Sequence, residues 1–200
     1  MHEIGRITLL RVQRSSLKLG KRLETYYDPT PLLSVEGLHL TPQGVFGITK
    51  DGSEVMDLHH IDHPTTHNVR GVNGVSIGFT SHYQSMREAY GEHLVNGIAG
   101  ENMLIEAESI MTLKDLGSRL AIALQKTGQF VYLTDLKVAA PCIEFSQFAA
   151  NHGKPLPPNK LKATLQFLND GCRGFYATTE DAPDELIVHV GDKVFVVHGA

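Results

Sequence analysis

Apolar and polar residues alternate over short runs along most of this chain, a pattern typical of β-strands with one buried face. Turns rich in glycine and proline separate these runs, and long helices do not alternate with the strands. The pattern predicts strands at 4–12, 31–40, 45–48, 102–106, 119–124, 130–139, 175–178, 186–190 and 193–197. Many short strands without βαβ alternation favour a β-barrel or sandwich, so the expected fold is mainly β with added helices.

Apolar residues recur at helical spacing in two further segments. The first predicts a helix over 81–90, with Ser81 as its N-cap, and the second predicts a helix over 159–170, with Asn159 as its N-cap. The stretch 151–158, NHGKPLPP, precedes the second helix, and its proline and glycine residues predict an exposed loop.

Composition and charge remove several classes of protein from consideration. The chain has 200 residues, of which 42% are hydrophobic and 20% charged, as expected for a globular protein. A net charge of −4 argues against a dedicated nucleic-acid binder, because contacts to phosphates need an excess of Lys and Arg. The chain also lacks the ~18 consecutive apolar residues that a membrane span needs. Because the N-terminal segment lacks the long apolar stretch of a signal peptide, we expect a cytoplasmic protein.

A histidine-rich stretch is the first feature that could carry chemistry. Four of the eleven histidines lie within 59–67, together with Asp62. Imidazole and carboxylate groups bind divalent metals such as zinc, but Pro64 disfavours a helix that would place two histidines on one face. Two interpretations therefore stay open: a metal site, or a polar loop whose histidines make local hydrogen bonds.

Three other short segments combine glycine or proline with reactive or charged side chains. Gly100, Glu101 and Asn102 could offer backbone and side-chain groups to a ligand, or could cap local backbone. Cys142 follows Pro141 at the end of a predicted strand, where its thiol could bind a metal or could be a small buried side chain. Arg173 lies between glycines, where it could bind an anion or pack at the surface.

Taken together and in order, these segments resemble the motifs of the MOSC family, the domain named after the C-terminal part of molybdenum cofactor sulfurase. The motifs are Gly100-Glu101-Asn102-Met103, Pro141-Cys142, Gly171-x-Arg173-Gly174 and Gly191-Asp192-Lys193-Val194. The stretch 70–83 resembles the segment that leads into the family's helix. The resemblance implies a β-barrel-like MOSC core over 67–200, with 1–66 as a β-rich N-terminal portion of the same unit.

The resemblance also implies a function for Cys142. It would bind a molybdenum–molybdopterin cofactor as a metal ligand, or carry activated sulfur. Members of known activity that hold molybdenum reduce N-hydroxylated compounds, so an oxidoreductase is one expectation. The other is a sulfur carrier or cofactor-binding module without reductive turnover. Pyridoxal phosphate is not expected, because this chain has no room for the domain that binds it in fused family members.

Further residues are assigned by the same resemblance. Arg70 and Arg173 would contact the phosphate of the cofactor, and Gly100, Glu101 and Asn102 its pterin ring. His67 or His82 would supply a proton during catalysis. The expected partners are a small-molecule substrate with an external electron-donor protein for the reductase, or a sulfur donor for the carrier. Neither nucleic acid nor membrane is expected as a partner.

Overall fold

The computed structural model describes residues 1–21, 24–68, 70–180 and 186–197. The strands are β1 (His2–Gln13), β2 (Lys18–Leu19), β3 (Tyr26–Tyr27), β4 (Leu32–Ser34), β5 (Gly37–Thr41), β6 (Gly44–Ile48), β7 (Glu54–Met56), β8 (Val75–Phe79), β9 (Met103–Glu106), β10 (Leu120–Ala123), β11 (Phe130–Val138), β12 (Phe175–Thr179), β13 (Ile187–Val188) and β14 (Lys193–Val196). The helices are α1 (Thr80–Tyr90), α2 (Leu113–Leu116), α3 (Ile143–Asn151) and α4 (Pro158–Leu168).

Seven of the strands close into a barrel. Around its wall they follow the order β14, β10, β11, β12, β8, β9, β1, and pairing of β1 with β14 completes the circle. Neighbouring strands run antiparallel, except for the parallel pair β8 and β9. The prediction of a mainly β, barrel-like fold with added helices is therefore confirmed.

The long first strand joins the N-terminal residues to this barrel. Its first part pairs with β14 and β9, whereas its end at 11–13 pairs with β4 outside the barrel. A bulge beside Gly5 bends the strand, and a Cβ atom there would lie only 1.9 Å from the carbonyl oxygen of Glu106. A separate sheet in the order β13, β5, β6, β7 packs on β1 through β6.

Strand β8 shows why the barrel wall is buried on both faces. Val75, Ile77 and Phe79 are 0% exposed and point into the apolar interior. The alternating residues Ser76 and Gly78 point outward, yet both are also buried. Other parts of the chain therefore cover the outer side of β8, and the small residues Ser76 and Gly78 leave room for them.

The cover is a second apolar cluster, formed mainly by helices and loops outside the barrel wall. Helices α3 and α4 pack on each other, and α3 also packs on β3. The cluster's buried members are Leu17, Tyr27, Tyr83, Met86, Leu94, Ile98, Ala99, Leu104, Phe145, Ala149 and Leu168. Its partly buried neighbours include both cysteines.

The two predicted helices exist, but neither cap is the predicted one. Ser81 is the second residue of α1, and its Oγ donates to the carbonyl oxygen of Ser109 at 2.8 Å instead. Asn159 lies inside α4, because Pro158 takes the first helical position and Pro157 precedes it as N-cap. Proline suits that first position because its fixed φ is helical and its missing N–H would have no partner there.

Helix α3 was not predicted from the sequence. It begins directly after Cys142 and extends to Asn151, so the predicted loop 151–158 is shortened to 152–157. In the described residues, no helix is long and apolar enough to span a membrane.

Candidate functional site

Cys142 is the N-cap of α3, where the chain leaves the barrel wall after β11. Its Sγ accepts a hydrogen bond from the backbone N–H of Phe145 at 3.4 Å. Its carbonyl oxygen accepts a second one from Ser146 Oγ at 2.8 Å, which fixes the first turn of the helix. Because the side chain is only partly buried, the sulfur keeps lone pairs that a ligand can reach.

Arg173 lies in the turn between α4 and β12, and its guanidinium approaches the same helix. Its Nη2 donates to the carbonyl oxygen of Ala99 at 2.6 Å, and its Cζ lies 5.7 Å from the centre of the Phe145 ring. Its Nη1 is buried and has no hydrogen-bond partner in the part of the chain that the structure describes. A cationic group with a free N–H in a buried place is suited to bind an anion.

The charge of Arg173 is retained despite this burial. Burial alone would lower the pKa of the guanidinium, but the neighbouring Tyr176 and Glu101 outweigh it and hold that pKa above its usual value. The residue is therefore a permanent positive charge beneath the surface.

Glu101 is the negative charge of this region. It is 2% exposed, and the Tyr83 hydroxyl donates to its carboxylate, at 2.9 and 2.7 Å from the two oxygens. The same hydroxyl accepts a hydrogen bond from the backbone N–H of Ala99 at 2.9 Å. Burial raises the pKa of Glu101, and the charge of Arg173 opposes that rise. Gly78 makes room for the carboxylate, since a Cβ atom there would lie 2.8 Å from its Oε1.

Tyr27 connects the two charged residues with the cysteine. Its ring centre lies 5.1 Å from that of Phe145, and its hydroxyl donates to the carbonyl oxygen of Ile98 at 2.5 Å. Burial raises the pKa of Tyr27 far above its usual value, and Arg173, Glu101 and Cys142 are close enough to act on the same hydroxyl. We call the group of Tyr27, Tyr83, Glu101, Cys142, Phe145 and Arg173 the thiol face.

Asn102 lies beside the thiol face, but its side chain is fully used within the protein. Its Oδ1 accepts from Ser76 N and Ser76 Oγ, both at 2.9 Å. Its Nδ2 donates to Asp57 Oδ2 at 2.9 Å and to the carbonyl oxygen of Arg11 at 3.2 Å. An amide side chain offers no further hydrogen bonds. Gly100 before it has a φ of +95° and is buried, so the contacts that the structure shows for both residues lie within the fold.

His67 and Arg70 lie away from these contacts. Both are exposed in the loop between β7 and β8, and the structure gives neither of them a hydrogen bond or ion pair with another described residue. The loop is anchored next to them, where Asn68 Nδ2 donates to the carbonyl oxygen of His59 at 2.7 Å. Among the described residues, no hydrogen bond or ion pair therefore joins these two predicted residues to Cys142 or Arg173.

The other histidines of the 59–67 stretch point in different directions. The His60 ring packs on Phe46 with a centroid distance of 4.6 Å, and His63 Nε2 lies 3.2 Å from the carbonyl oxygen of Arg14. Among the described residues, no group of three or more His, Cys, Asp or Glu side chains could hold a metal ion. For these two histidines the structure shows the local contacts of a polar loop.

Sequence reasoning missed several residues that shape this site. Tyr83 and Tyr27 were not singled out, because only the fold brings them to Glu101 and Phe145. Asp57 was not noticed beside the histidines, although an Asp two residues before a His is typical of a loop that binds its own backbone. Cys172, the other cysteine, packs against the second cluster, where burial raises the pKa of its thiol to about 11.

Comparisons with known proteins show that this chain shares its fold with a solved structure. No family model matches this chain, and no curated protein matches it either. Among solved structures, it is similar to the crystal structure of APC1665, the YUAD protein from Bacillus subtilis. The two align with a TM-score of 0.56 and 14% sequence identity over 95% of this chain and 93% of that chain. The chain therefore has the same overall fold as the YUAD protein, over nearly the full length of both.

Proposed function

We propose that this protein binds a molybdenum–molybdopterin cofactor through Cys142 and reduces N-hydroxylated small molecules. One observation carries the proposal. A partly exposed thiol and a buried guanidinium with a free N–H both approach Phe145. Its backbone N–H donates to the Cys142 sulfur, and the centre of its ring lies 5.7 Å from the Arg173 Cζ.

These two groups fit the chemistry of such a cofactor. Its dithiolene sulfurs and oxo groups already bind the molybdenum, so a single protein thiolate is sufficient to complete the set. Its phosphate needs a cation with free N–H groups, which the unpartnered Nη1 of Arg173 offers. A buried N–H without a partner in the protein is compatible with a partner from outside the chain, such as a water molecule or an anion.

The remaining residues of the thiol face hold these two groups in position. The carbonyl oxygen of Ala99 fixes the Arg173 guanidinium, and Tyr83 fixes both the Ala99 backbone and the Glu101 carboxylate. Because these contacts are buried, the positive charge is oriented before any ligand arrives, and binding does not have to order it.

The proposed reaction converts an N-hydroxylated compound into the corresponding amine or amidine. The N–O bond breaks, and the oxygen leaves as water after the reactants take up two protons and two electrons. When bound, the cofactor supplies the two-electron redox chemistry. The electrons come from an external electron-donor protein, and this chain contributes binding, orientation and a path for protons.

A second function is favoured by the hydrogen bond on the sulfur. The backbone N–H of Phe145 that points at Cys142 Sγ would equally stabilise a persulfide anion at the start of α3. In that case a sulfur donor's persulfide transfers its outer sulfur to the Cys142 thiolate and leaves as a thiol. No reduction of a substrate is then involved.

Metal analysis of purified protein tests the first function. The protein is expressed in cells that make the cofactor, as the wild type and as the variants Cys142→Ala and Cys172→Ala. We expect about one molybdenum per chain in the wild type and in Cys172→Ala, and none in Cys142→Ala. Full molybdenum content and full reductase activity in Cys142→Ala would exclude the proposed role of this thiol.

Mass spectrometry separates the two functions. After exposure to a cysteine desulfurase and its substrate, a carrier gains the mass of one sulfur atom on the peptide that contains Cys142. The reductase hypothesis predicts an unmodified thiol in the metal-free protein, together with turnover of an N-hydroxylated substrate by the molybdenum-containing protein when an electron donor is present.

A further inference from the structure

A second pair of titratable side chains lies where β7 leads into the following loop. The Asp57 carboxylate is 0% exposed and accepts hydrogen bonds from the backbone N–H of Gln13 at 2.7 Å and from Asn102 Nδ2 at 2.9 Å. Its other oxygen accepts from the backbone N–H of His59 at 2.8 Å and lies 2.9 Å from His59 Nδ1. Burial would raise the pKa of Asp57, but the hydrogen bonds and the charge of His59 lower it below its usual value.

This arrangement determines which nitrogen of the His59 ring carries the proton. An ionised carboxylate only accepts hydrogen bonds, so the neutral ring carries its proton on Nδ1 and presents the lone pair of Nε2. The structure gives Nε2 no hydrogen-bond partner among the described residues, and the side chain is 23% exposed. A general acid–base group needs a ring nitrogen that is held in a fixed orientation, is accessible to a ligand and can exchange a proton.

The position of the pair relates it to the thiol face. The His59 ring lies 5.9 Å from the Tyr176 ring, and Tyr176 is a close neighbour of the Arg173 charge. On the other side, Asp57 binds Asn102, which follows Glu101 directly in the chain. The groups that face His59 are thus the Asp57 carboxylate from its own loop and the Tyr176 phenol from β12.

We propose that His59, oriented by Asp57, is the general acid–base group of the thiol face: its Nε2 takes up a proton from solvent water and then donates that proton to the oxygen that leaves as water. This inference rests on the proposed reductase function. It replaces His67 in that role, because His67 is exposed and has no oriented ring nitrogen in the structure. Asp57 then has two roles: its carboxylate orients His59, and it anchors the loop to β1 through the backbone N–H of Gln13.

The neighbouring histidines provide a matched comparison. His63 lies in the same loop, but a carbonyl oxygen rather than a carboxylate faces its Nε2, at 3.2 Å, and Thr65 N donates to its Nδ1 at 3.3 Å. Both of its ring nitrogens therefore have local backbone partners. His63→Gln removes one imidazole of the loop without touching the pair of Asp57 and His59, and serves as the control.

The experiment combines kinetics with nitrogen NMR of the histidine rings. In the molybdenum-containing protein we expect His59→Gln to keep its metal content and KM while kcat falls about 100-fold and the pH profile of kcat changes. His63→Gln keeps the kinetics of the wild type. Unchanged kcat and pH profile in His59→Gln, beside a Cys142→Ala variant without activity, would overturn the role of His59 and leave the proposed function intact.

The NMR readout does not depend on turnover. In the metal-free protein, the His59 ring is expected as the tautomer protonated at Nδ1, and cofactor loading shifts its signals but not those of His63. A His59 ring protonated at Nε2, or signals that do not change on loading, would contradict the inference. If the protein takes up no molybdenum and Cys142→Ala changes nothing, the reductase function is wrong, and so is the acid–base role of His59 that rests on it. The tautomer of the His59 ring still tests the pairing of His59 with Asp57.

Discussion

The inside of the barrel and the outer side of its wall bury different kinds of side chain. The interior cluster consists of apolar side chains, such as Ile77, Phe79 and Phe175, which are 0% exposed. The outer side beneath the helices buries Glu101, at 2% exposure, where the charge of Arg173 acts on its carboxylate. Burying a charge is unfavourable, whereas burying a hydrocarbon is favourable. This buried charge lies on the side of the wall that carries Cys142, the side to which we assign the proposed function.

One strand displays the difference residue by residue. On β8, Ile77 faces the apolar interior, whereas Ser76 donates to Asn102 and Gly78 leaves space for the Glu101 carboxylate. Substitutions on the two faces should therefore have different consequences. Changes inside should affect only stability, whereas changes outside should also affect binding at the thiol face.

The largest loss of stability is expected inside the barrel. Phe79→Ala removes a fully buried ring from the interior and should lower the free energy of unfolding by about 3–5 kcal/mol, through lost burial and the cavity left behind. Urea denaturation measures this loss. The control Phe167→Ala, at a ring that is 40% exposed, should cost less than about 1 kcal/mol. Equal losses in the two variants would contradict the description of the interior.

A smaller loss is expected from the outer side. Tyr83→Phe keeps the ring but removes the hydroxyl that serves Glu101 and the backbone N–H of Ala99. Two buried groups then lack a partner, so we expect a loss of about 1–3 kcal/mol in the free energy of unfolding. Tyr26→Phe, at a ring that is 47% exposed, should remain within about 0.5 kcal/mol of the wild type.

Tyr83→Phe also separates the two faces functionally. It should weaken retention of the cofactor, because Arg173 is held through the same Ala99 backbone. Phe79→Ala should keep the molybdenum content of the folded fraction. A variant Tyr83→Phe with normal stability and normal cofactor retention would show that the buried polar contacts are not needed at this site.

The smallest effect is a dependence of stability on pH. Burial lowers the pKa of His82 below its usual value, and its Nε2 accepts from the backbone N–H of Met111 at 3.0 Å. The folded state therefore favours the neutral ring, and its contribution is present above the ordinary His pKa of ~6.5 and is lost as pH falls below it. The slope for one histidine is at most about 1.4 kcal/mol per pH unit.

Denaturation at pH 7.5 and pH 5.5 checks this effect. The wild type should be less stable at the lower pH, and His82→Gln should show a flatter dependence because it cannot titrate. His152→Gln, at an exposed residue, should keep the slope of the wild type. An identical slope in His82→Gln would assign the acid sensitivity to other groups, such as His60, whose pKa burial also lowers.

The sequence predicted the barrel better than its helices. Strands such as β10 and β11 were predicted because apolar residues and turn residues repeat over short distances, whatever the rest of the chain does. Helix α3 was missed because its first residue follows Pro141 and Cys142, and a cysteine is not a usual N-cap. The closure of the barrel through pairing of β1 and β14 joins the two ends of the chain, which no local pattern can show.

Local sequence patterns also predicted part of the site. Cys142 and Arg173 stand beside proline or glycine, which marks them in the sequence, and the fold brings both to Phe145. The pairing of Glu101 with Tyr83 and the pairing of Asn102 with Asp57 depend on contacts between distant segments. Sequence spacing therefore could not show that the Asn102 side chain is already used, or that Asp57 orients a histidine.

Alkylation of the two cysteines tests the central claim most directly. Wild-type protein is prepared from cells that make the cofactor and from cells that do not, treated with iodoacetamide near neutral pH, and digested for mass spectrometry. We predict that Cys142 is labelled in the cofactor-free protein and protected in the protein that contains molybdenum. Cys172 should stay unlabelled in both, because its thiol has a pKa of about 11. Equal labelling of Cys142 in both preparations, while one of them holds molybdenum, would contradict its role as the metal ligand.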